Sequence, residues 1–301
     1  MPLHSFIGLA ILAVSEIGML SHVEPFWTWH TPFAWTGYIL LVDGIVFHRR
    51  GSSWLTTNRR EFAFLAAVSI PLWVVFEGYN LLIENWYYVN LPENLLVRYF
   101  GYAWAFATIS PGIFQTAELV ATLRAPRSAT AAPRLKTGDS RLETGDSRLE
   151  TGDTRLAPFA FRLSPSDYVS LAAGAAMLLL PILWPSPYLA APLFLGFVFL
   201  LDPVNARAGD ESLLRDLRTG SYDRLVNLLS AGFICGGLWE FWNFWARAKW
   251  IYTVPILGDI KIFEMPVLGY FGFPPFALEC FTMYVCVRRL FWRGIRRPIG
   301  I

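Results

Sequence analysis

The chain of 301 residues is 54% hydrophobic and 16% charged, with a net charge of +2 and with 13 Trp, 12 Tyr and 24 Phe residues. An average globular protein carries roughly 25% charged residues, so this composition cannot cover a solvated surface. It excludes a soluble enzyme, a secreted disulfide scaffold and a nucleic-acid-binding module, and the near-neutral charge indicates no acidic or basic partner.

Apolar stretches of about 17 or more residues recur along the chain, and each could cross roughly 30 Å of hydrocarbon as a helix. They predict an all-α fold, a polytopic integral membrane protein with eight transmembrane helices. The predicted spans are residues 4–21, 32–48, 61–83, 98–122, 166–184, 187–203, 224–246 and 269–287. Pro185 and Pro187 separate the fifth span from the sixth, because proline breaks a helix and restricts the residue before it.

The basic residues test this topology. All but four of the 25 Lys and Arg residues follow the second, fourth, sixth or eighth span. An eight-span chain places these groups on one side, and the positive-inside rule makes that side cytoplasmic. The exceptions are Arg98, Arg247, Lys249 and Lys261. We therefore expect a multi-pass protein of the cell membrane with both termini in the cytoplasm.

The segment after the fourth span repeats a seven-residue unit, Thr-Gly-Asp-Ser-Arg-Leu-Glu, from residues 137 and 144, and in altered form from residue 151. Leucines recur every seven residues along this segment, as they do in a coiled coil. However, each unit contains Gly and Asp, which form helix poorly, and has one apolar position where a seam needs two. We predict a flexible cytoplasmic linker over residues 125–165, between transmembrane repeats at 1–124 and 166–301.

Short motifs recur in the same order on both sides of this linker, which indicates an internal duplication. The matched pairs are Gly37 and Asp43 with Gly196 and Asp202, Glu77 and Asn80 with Glu240 and Asn243, and Pro111 and Gln115 with Pro275 and Glu279. An even number of spans per unit preserves orientation, so we predict two parallel four-helix repeats. Parallel repeats usually place their site between the halves.

Acidic side chains inside the predicted spans are the strongest functional signal. A charged group at the centre of a span raises the free energy of membrane insertion by about 2.5–3.5 kcal/mol. An acidic residue at such a position is therefore a candidate for a functional role. No Lys, Arg or His lies at the same depth, and we expect several of these acids to be neutral carboxylic acids that act as general acids. The candidate catalytic residues are Glu240, Glu279, Glu77, Asp202 and Asp43.

Polar and aromatic neighbours of these acids are candidates for substrate contact, because aromatic faces attract a cation by about 1–2 kcal/mol in a dry site. They are Asn80, Asn243, Trp239, Trp242, Phe273 and Gln115. We expect Glu77, Glu240 and Glu279 to face one shared apolar cavity. Two alternatives stay open: the aspartates near span ends could act as caps, and each Glu–Asn pair could bond internally or to a neighbouring helix.

Three features carry a family resemblance. An apolar helix ends in Asp43 before basic residues, a later helix has Trp239-Glu240 and then Trp and Tyr, and the last helix has proline before Glu279. This pattern resembles the small integral-membrane lycopene cyclases of the heterodimeric bacterial type, whose chains are fused in archaea and fungi. The resemblance implies cyclisation of isoprenoid ends without net redox change and without a flavin. The family has an adjacent acid pair where Glu279 stands alone, and three spans per unit where four are predicted here.

The sequence therefore predicts a membrane cyclase or isomerase of the isoprenoid or carotenoid type, acting by carboxylic-acid protonation and carbocation cyclisation. The alternative is a non-enzymatic membrane protein, such as a proton-coupled lipid or small-molecule carrier, since repeats with buried acids suit carriers too. A carrier needs a polar path to both faces, whereas a cyclase needs a dry cavity.

The expected partners are a hydrophobic isoprenoid or lipid substrate and the membrane itself, with no nucleic acid. No metal ion or cofactor is expected, because the sequence has neither a glycine-rich phosphate loop nor a His/Cys cluster with metal-ligand spacing. The sequence leaves the oligomeric state open.

Overall fold

The computed structural model describes residues 1–124, 163–292 and 298–301. The seven-residue repeats and most of the predicted linker lie outside these described residues. Ten α-helices occur in the described part of the chain. They are α1 (Leu3–Leu20), α2 (His30–Arg50), α3 (Trp54–Thr57), α4 (Arg59–Ile83), α5 (Leu95–Arg124), α6 (Pro165–Leu183), α7 (Ala190–Arg207), α8 (Leu213–Arg218), α9 (Asp223–Trp245) and α10 (Phe273–Phe291).

Six helical segments of the described chain are long and apolar enough to cross a membrane, and they contain α1, α4, α6, α7, α9 and α10. This fits an all-α membrane protein. The long helices α2 and α5 are not among these segments. In α5 every residue from Thr108 to Glu118 is buried, so this stretch packs against protein. A helix in such a position does not need the uniformly apolar surface of a lipid-facing one.

Glycines set the closest helix contacts. A Cβ added to Gly8 of α1 would lie 2.6 Å from the carbonyl oxygen of Gly37 on α2. A Cβ on Gly174 of α6 would lie 2.8 Å from the carbonyl oxygen of Gly196 on α7. Small residues let helix backbones approach closely in membranes, so the same type of contact joins α1 to α2 and α6 to α7.

Two short strands form an antiparallel ribbon that the sequence analysis did not predict. Strand β1 (Trp86–Val89) follows α4, and β2 (Lys249–Tyr252) follows α9. In this β1–β2 ribbon Trp86 lies opposite Tyr252 and Tyr88 lies opposite Trp250. A second ribbon pairs β3 (Lys261–Ile262) with β4 (Met265–Pro266). Because β1 pairs with β2, the C-terminal ends of α4 and α9 lie at the same end of the bundle.

Polar contacts at the opposite end join α10 to α4 and α5 to α9. Arg288 near the end of α10 donates from Nη1 to Oε1 of Glu61 near the start of α4, at 3.0 Å. The Arg288 side chain is 1% exposed and that of Glu61 is 3% exposed, and Arg288 also pairs with Glu211. Arg124 at the end of α5 donates to Asn227 of α9 at 2.6 Å. These contacts tie residues before the linker to residues after it.

Candidate functional site

A cavity of about 530 Å³ is lined by the β1–β2 ribbon and by residues of α2, α5, α7, α9 and α10. Its lining includes six tryptophans, which are Trp29, Trp35, Trp73, Trp86, Trp239 and Trp250. Lys249 is the charged member of the lining, and its Nζ is paired with Glu264 at 2.5 Å. The cavity therefore suits an apolar or aromatic ligand of moderate size.

Aromatic rings from four helices meet at this cavity. The ring centroids of Trp35 on α2 and Trp239 on α9 are 4.9 Å apart. Phe276 on α10 lies 6.1 Å from Trp239 and 5.5 Å from Trp73 on α4. Both sides of the linker contribute to this cluster. Its ring faces carry the negative side of the aromatic quadrupole, which attracts positive charge.

Glu77 on α4 accepts three hydrogen bonds on its Oε1 atom. Tyr88 donates its hydroxyl at 2.5 Å, and the indole N–H groups of Trp73 and Trp86 donate at 2.7 and 3.3 Å. Trp73 lies one helical turn before Glu77, whereas the other two donors belong to β1. The chain folds back after α4, and this places two alternate residues of the strand over the carboxylate.

Glu240 on α9 has a related but different arrangement. Tyr252 of β2 donates its hydroxyl to Oε1 at 3.0 Å, and the Trp250 indole donates to the Tyr252 hydroxyl oxygen at 2.8 Å. The Glu240 side chain is completely buried. Its Oε2 atom has no hydrogen-bond partner among the described residues. In this half the Trp250 indole therefore bonds to the tyrosine. In the other half the Trp86 indole bonds to the glutamate.

The two tyrosines remain hydroxyl donors at physiological pH. Burial raises the pKa of the Tyr252 phenol well above its usual range, and the nearby Glu240 carboxyl raises it further. Burial has the same effect on the pKa of Tyr88, with Glu77 adding to it. Both tyrosines line the cavity, so each places a phenol between the cavity and a glutamate.

Asn80 and Asn243 hold the ribbon. Asn80 accepts from the backbone N–H of Trp86 at 3.2 Å and donates to its carbonyl oxygen at 2.7 Å. Asn243 makes the same two bonds to Trp250, at 2.9 and 2.8 Å. The sequence left open a bond within each Glu–Asn pair and named both asparagines as candidates for substrate contact. In the structure their amides bond instead to the strands that carry the tyrosines.

Replacement of Asn243 by alanine is expected to loosen β2, because it removes both bonds to the Trp250 backbone. An unsatisfied buried polar group costs about 1–3 kcal/mol, so amide hydrogen exchange over residues 249–252 should become faster. Hydrogen-exchange mass spectrometry measures this. Asn205 is the matched control, since it donates to the Thr282 carbonyl oxygen at 3.0 Å away from the ribbon. Equal exchange over 249–252 in both variants would contradict the assigned role.

Asp43 and Asp202 act as caps for the short helices that follow α2 and α7. Asp43 accepts from Ser53 Oγ at 2.7 Å and from the Leu55 backbone N–H at 3.0 Å. Asp202 accepts from Ser212 Oγ at 2.9 Å and from backbone N–H groups of α8. Neither aspartate lines the cavity. Of the two interpretations that the sequence left open, the contacts favour capping.

Other predicted site residues also bond away from the cavity. Glu279 is completely buried, and its Oε1 accepts from the Phe197 backbone N–H at 3.0 Å. Its Oε2 has no partner in the described part of the chain. Gln115 donates to Asp43 at 2.7 Å, and Trp242 donates to Glu16 at 3.0 Å.

The predicted residues thus divide into three groups. Trp239 and Phe273 line the cavity, and Glu77 and Glu240 lie behind the tyrosines that line it. Glu279 and the remaining candidates are not among the lining residues, so the expectation that three glutamates face the cavity directly is wrong. Tyr88 and Tyr252 line the cavity but are not among the residues that the sequence predicted for the site. A signal was present, because a Trp-x-Tyr triplet follows each Glu-x-x-Asn motif at nearly the same distance.

Comparisons with protein-family models, curated proteins and solved structures found no match for this chain.

Proposed function

We propose that the protein is a membrane cyclase or isomerase that acts on a linear isoprenoid, of the carotenoid type or a related lipid. The observation that carries this proposal is the aromatic cavity with two phenols on its wall, each bonded to a glutamate. The resemblance of the sequence motifs to membrane lycopene cyclases suggests the isoprenoid substrate.

The lining suits a carbocation reaction. Protonation of an alkene or epoxide leaves a positive charge on carbon, which is quenched by water unless the site is dry. The rings of Trp35, Trp239 and Phe276 offer faces that stabilise such a charge, and a desolvated cation–π contact contributes about 2 kcal/mol. Ring closure and loss of a proton then give an isomer of the substrate, without redox change and without net consumption of protons.

We also propose the finer topology of eight spans in two parallel repeats, with both termini in the cytoplasm. The pairing of β1 with β2 supports it, because the strands follow α4 and α9 and are exchanged by a two-fold rotation that maps Trp86 onto Trp250 and Tyr88 onto Tyr252. The ion pair of Glu61 with Arg288 supports the same orientation at the other end. The helices α2 and α5 would then cross the membrane largely enclosed by protein.

A carrier is the less favoured function. It would need a polar path from the cavity to the opposite end of the bundle. There, large side chains fill the core, with Phe114, Phe281 and Tyr284 packed against one another, and the buried Arg288 is bonded to Glu61 and Glu211. These contacts support a site that stays closed at that end.

The proposal is tested by solvent deuterium incorporation. The purified protein in lipid nanodiscs is incubated in D₂O with linear isoprenoid alkenes and with their terminal epoxides. From the alkenes we expect a cyclic or rearranged isomer that carries deuterium on carbon, because the proton that starts the reaction comes from the protein and thus from solvent. From the epoxides we expect an isomer without deuterium on carbon, because an epoxide takes that proton on oxygen. Mass spectrometry of the extracted lipids measures it.

Wild-type protein that leaves every substrate unchanged and free of deuterium, but moves it between the leaflets of a vesicle, would support the carrier instead. A denatured sample and empty nanodiscs are the controls, since they report any reaction that the lipids undergo without the protein.

A further inference from the structure

We propose that the two halves of the site have opposite roles: Tyr252, backed by Glu240, delivers a proton to the bound ligand, and Tyr88, backed by Glu77, removes one. This inference rests on the proposed function and assigns the catalytic contacts to tyrosines rather than to the glutamates. It follows from the different partners of the two strand indoles, since Trp250 donates to Tyr252 whereas Trp86 donates to Glu77.

On the Glu240 side the indole donor bonds to the phenol and not to the carboxyl group. The Trp250 indole donates to the Tyr252 oxygen at 2.8 Å, and the Glu240 Oε1 atom lies 3.0 Å from the same oxygen. When Glu240 carries a proton on Oε1, its O–H also donates to that oxygen. The phenol oxygen then accepts two bonds, and its own hydrogen is released toward the cavity. Burial of Glu240 with an unpartnered Oε2 favours this uncharged form.

On the Glu77 side the donors point at the carboxylate. Trp73, Trp86 and Tyr88 all donate to Glu77 Oε1. Three donors to one oxygen favour a negative charge there, and in this proposal Glu77 is the carboxylate of the pair. The Tyr88 hydroxyl hydrogen points to Glu77. The Tyr88 oxygen can therefore accept a proton from the cavity while the hydroxyl proton of Tyr88 passes to the Glu77 carboxylate.

The ribbon places the two phenols side by side. Tyr88 lies opposite Trp250, and Tyr252 is two residues further along β2. Alternate residues of a strand share one face, and such diagonal neighbours in an antiparallel pair are about 7–8 Å apart at Cα. Both phenols therefore reach the same ligand, one at the atom that gains a proton and one at an atom that loses a proton.

The proton balance closes within the site. Tyr252 gives its hydroxyl proton to an alkene carbon or an epoxide oxygen while Glu240 passes its own proton to the Tyr252 oxygen. After ring closure, a C–H proton next to the cation goes to the Tyr88 oxygen as Tyr88 gives its proton to Glu77. Glu240 ends as a carboxylate and Glu77 as a carboxylic acid, and one proton returned from Glu77 to Glu240 through solvent restores the start. Tyr252 and Tyr88 are the catalytic residues, and Glu240 and Glu77 are positioning residues that act through them.

Infrared difference spectroscopy tests this assignment without a substrate. Spectra of the protein in nanodiscs at neutral pH are compared for wild type, Glu240→Gln, Glu77→Gln and Tyr252→Phe. We expect Glu240→Gln to lose one carboxylic acid C=O band above the amide I region, a band that shifts in D₂O. Glu77→Gln should keep that band and lose a carboxylate band instead. Tyr252→Phe should keep the Glu240 band but shift it, because the phenol partner is gone.

Loss of a carboxylic acid band in Glu77→Gln, or an unchanged spectrum in Glu240→Gln, would overturn the assignment. A Glu240 band that does not shift in Tyr252→Phe would remove the tyrosine from the relay. Each variant is compared with wild type by circular dichroism, and a variant that has lost helix is replaced by the Asp substitution at the same glutamate. Failure of the proposed function is distinguishable, since it would leave these bands as expected while no deuterium enters any isoprenoid.

Discussion

Replacement of Arg288 by methionine is expected to destabilise the folded protein by about 3–5 kcal/mol, the cost of removing one partner from a buried ion pair. Arg288 is bonded to both Glu61 and Glu211, and Tyr284 donates its hydroxyl to Glu61 at 3.2 Å. Methionine keeps the aliphatic part of the side chain but lacks the guanidinium group. The loss then reflects mainly Glu61, which is 3% exposed and loses its cation.

Arg289 is the matched control. It lies next to Arg288 on α10, its side chain is 38% exposed, and it pairs with Asp210 at 3.2 Å. An exposed ion pair contributes about 0–1 kcal/mol, so Arg289→Met should be close to wild type. Thermal unfolding of the detergent-solubilised variants measures both effects. Equal unfolding temperatures for the two variants would show that the Arg288 network does not stabilise the fold.

Replacement of Glu240 by glutamine is expected to lower the rate of deuterium incorporation into the isoprenoid product by about 10²–10⁴-fold, the usual contribution of a placed acid. Glutamine keeps the size of the side chain and an oxygen that can accept from Tyr252. It cannot pass a proton to the phenol. The rate is measured in nanodiscs under substrate saturation, so that a change in binding does not contribute.

Glu118→Gln is the control for this variant. Glu118 is also buried in a helix, but it interacts with Arg50 at the end of the bundle away from the ribbon, and it is not among the cavity residues. Its rate should stay within a few-fold of wild type. A Glu240→Gln protein that is as fast as Glu118→Gln would remove Glu240 from the chemistry.

The helices could be predicted well, because apolar runs and prolines are local features. The span predicted at 61–83 is observed as Arg59–Ile83, and the span predicted at 98–122 is observed as Leu95–Arg124. The chain also leaves helical structure between Leu183 and Pro187, where two prolines predicted a turn. Residues 125–162 remain a prediction, since the structure does not describe them.

The site could be predicted only in part, because its geometry depends on a pairing between distant segments. Four-residue strands have too little pattern to predict. Once the strands pair, Tyr88 and Tyr252 come between the glutamates and the cavity. Nothing local to either glutamate indicates that a phenol from the following strand would cover it.

The pairing of buried charges could not be predicted either. Its position after the last span groups Arg288 with the basic residues that set orientation, yet Arg288 is 1% exposed and bonded to Glu61. The partners are far apart in sequence and belong to different halves, so neither residue type nor spacing could show the pairing. The role of Glu279 stays a prediction: it is buried in an apolar region with one backbone donor, and it is not among the described residues that line the cavity.

The shared ribbon has a consequence for how this chain can change over generations. Each strand finds its hydrogen-bond partners in the other half, so Tyr88 is held in place by residues 249–252 and Tyr252 by residues 86–89. Neither half can form the wall of the cavity at the ribbon alone. A substitution that suits one strand is tolerated only when the opposite strand accepts it, so the two halves must diverge together here, even while the surfaces that face lipid drift independently.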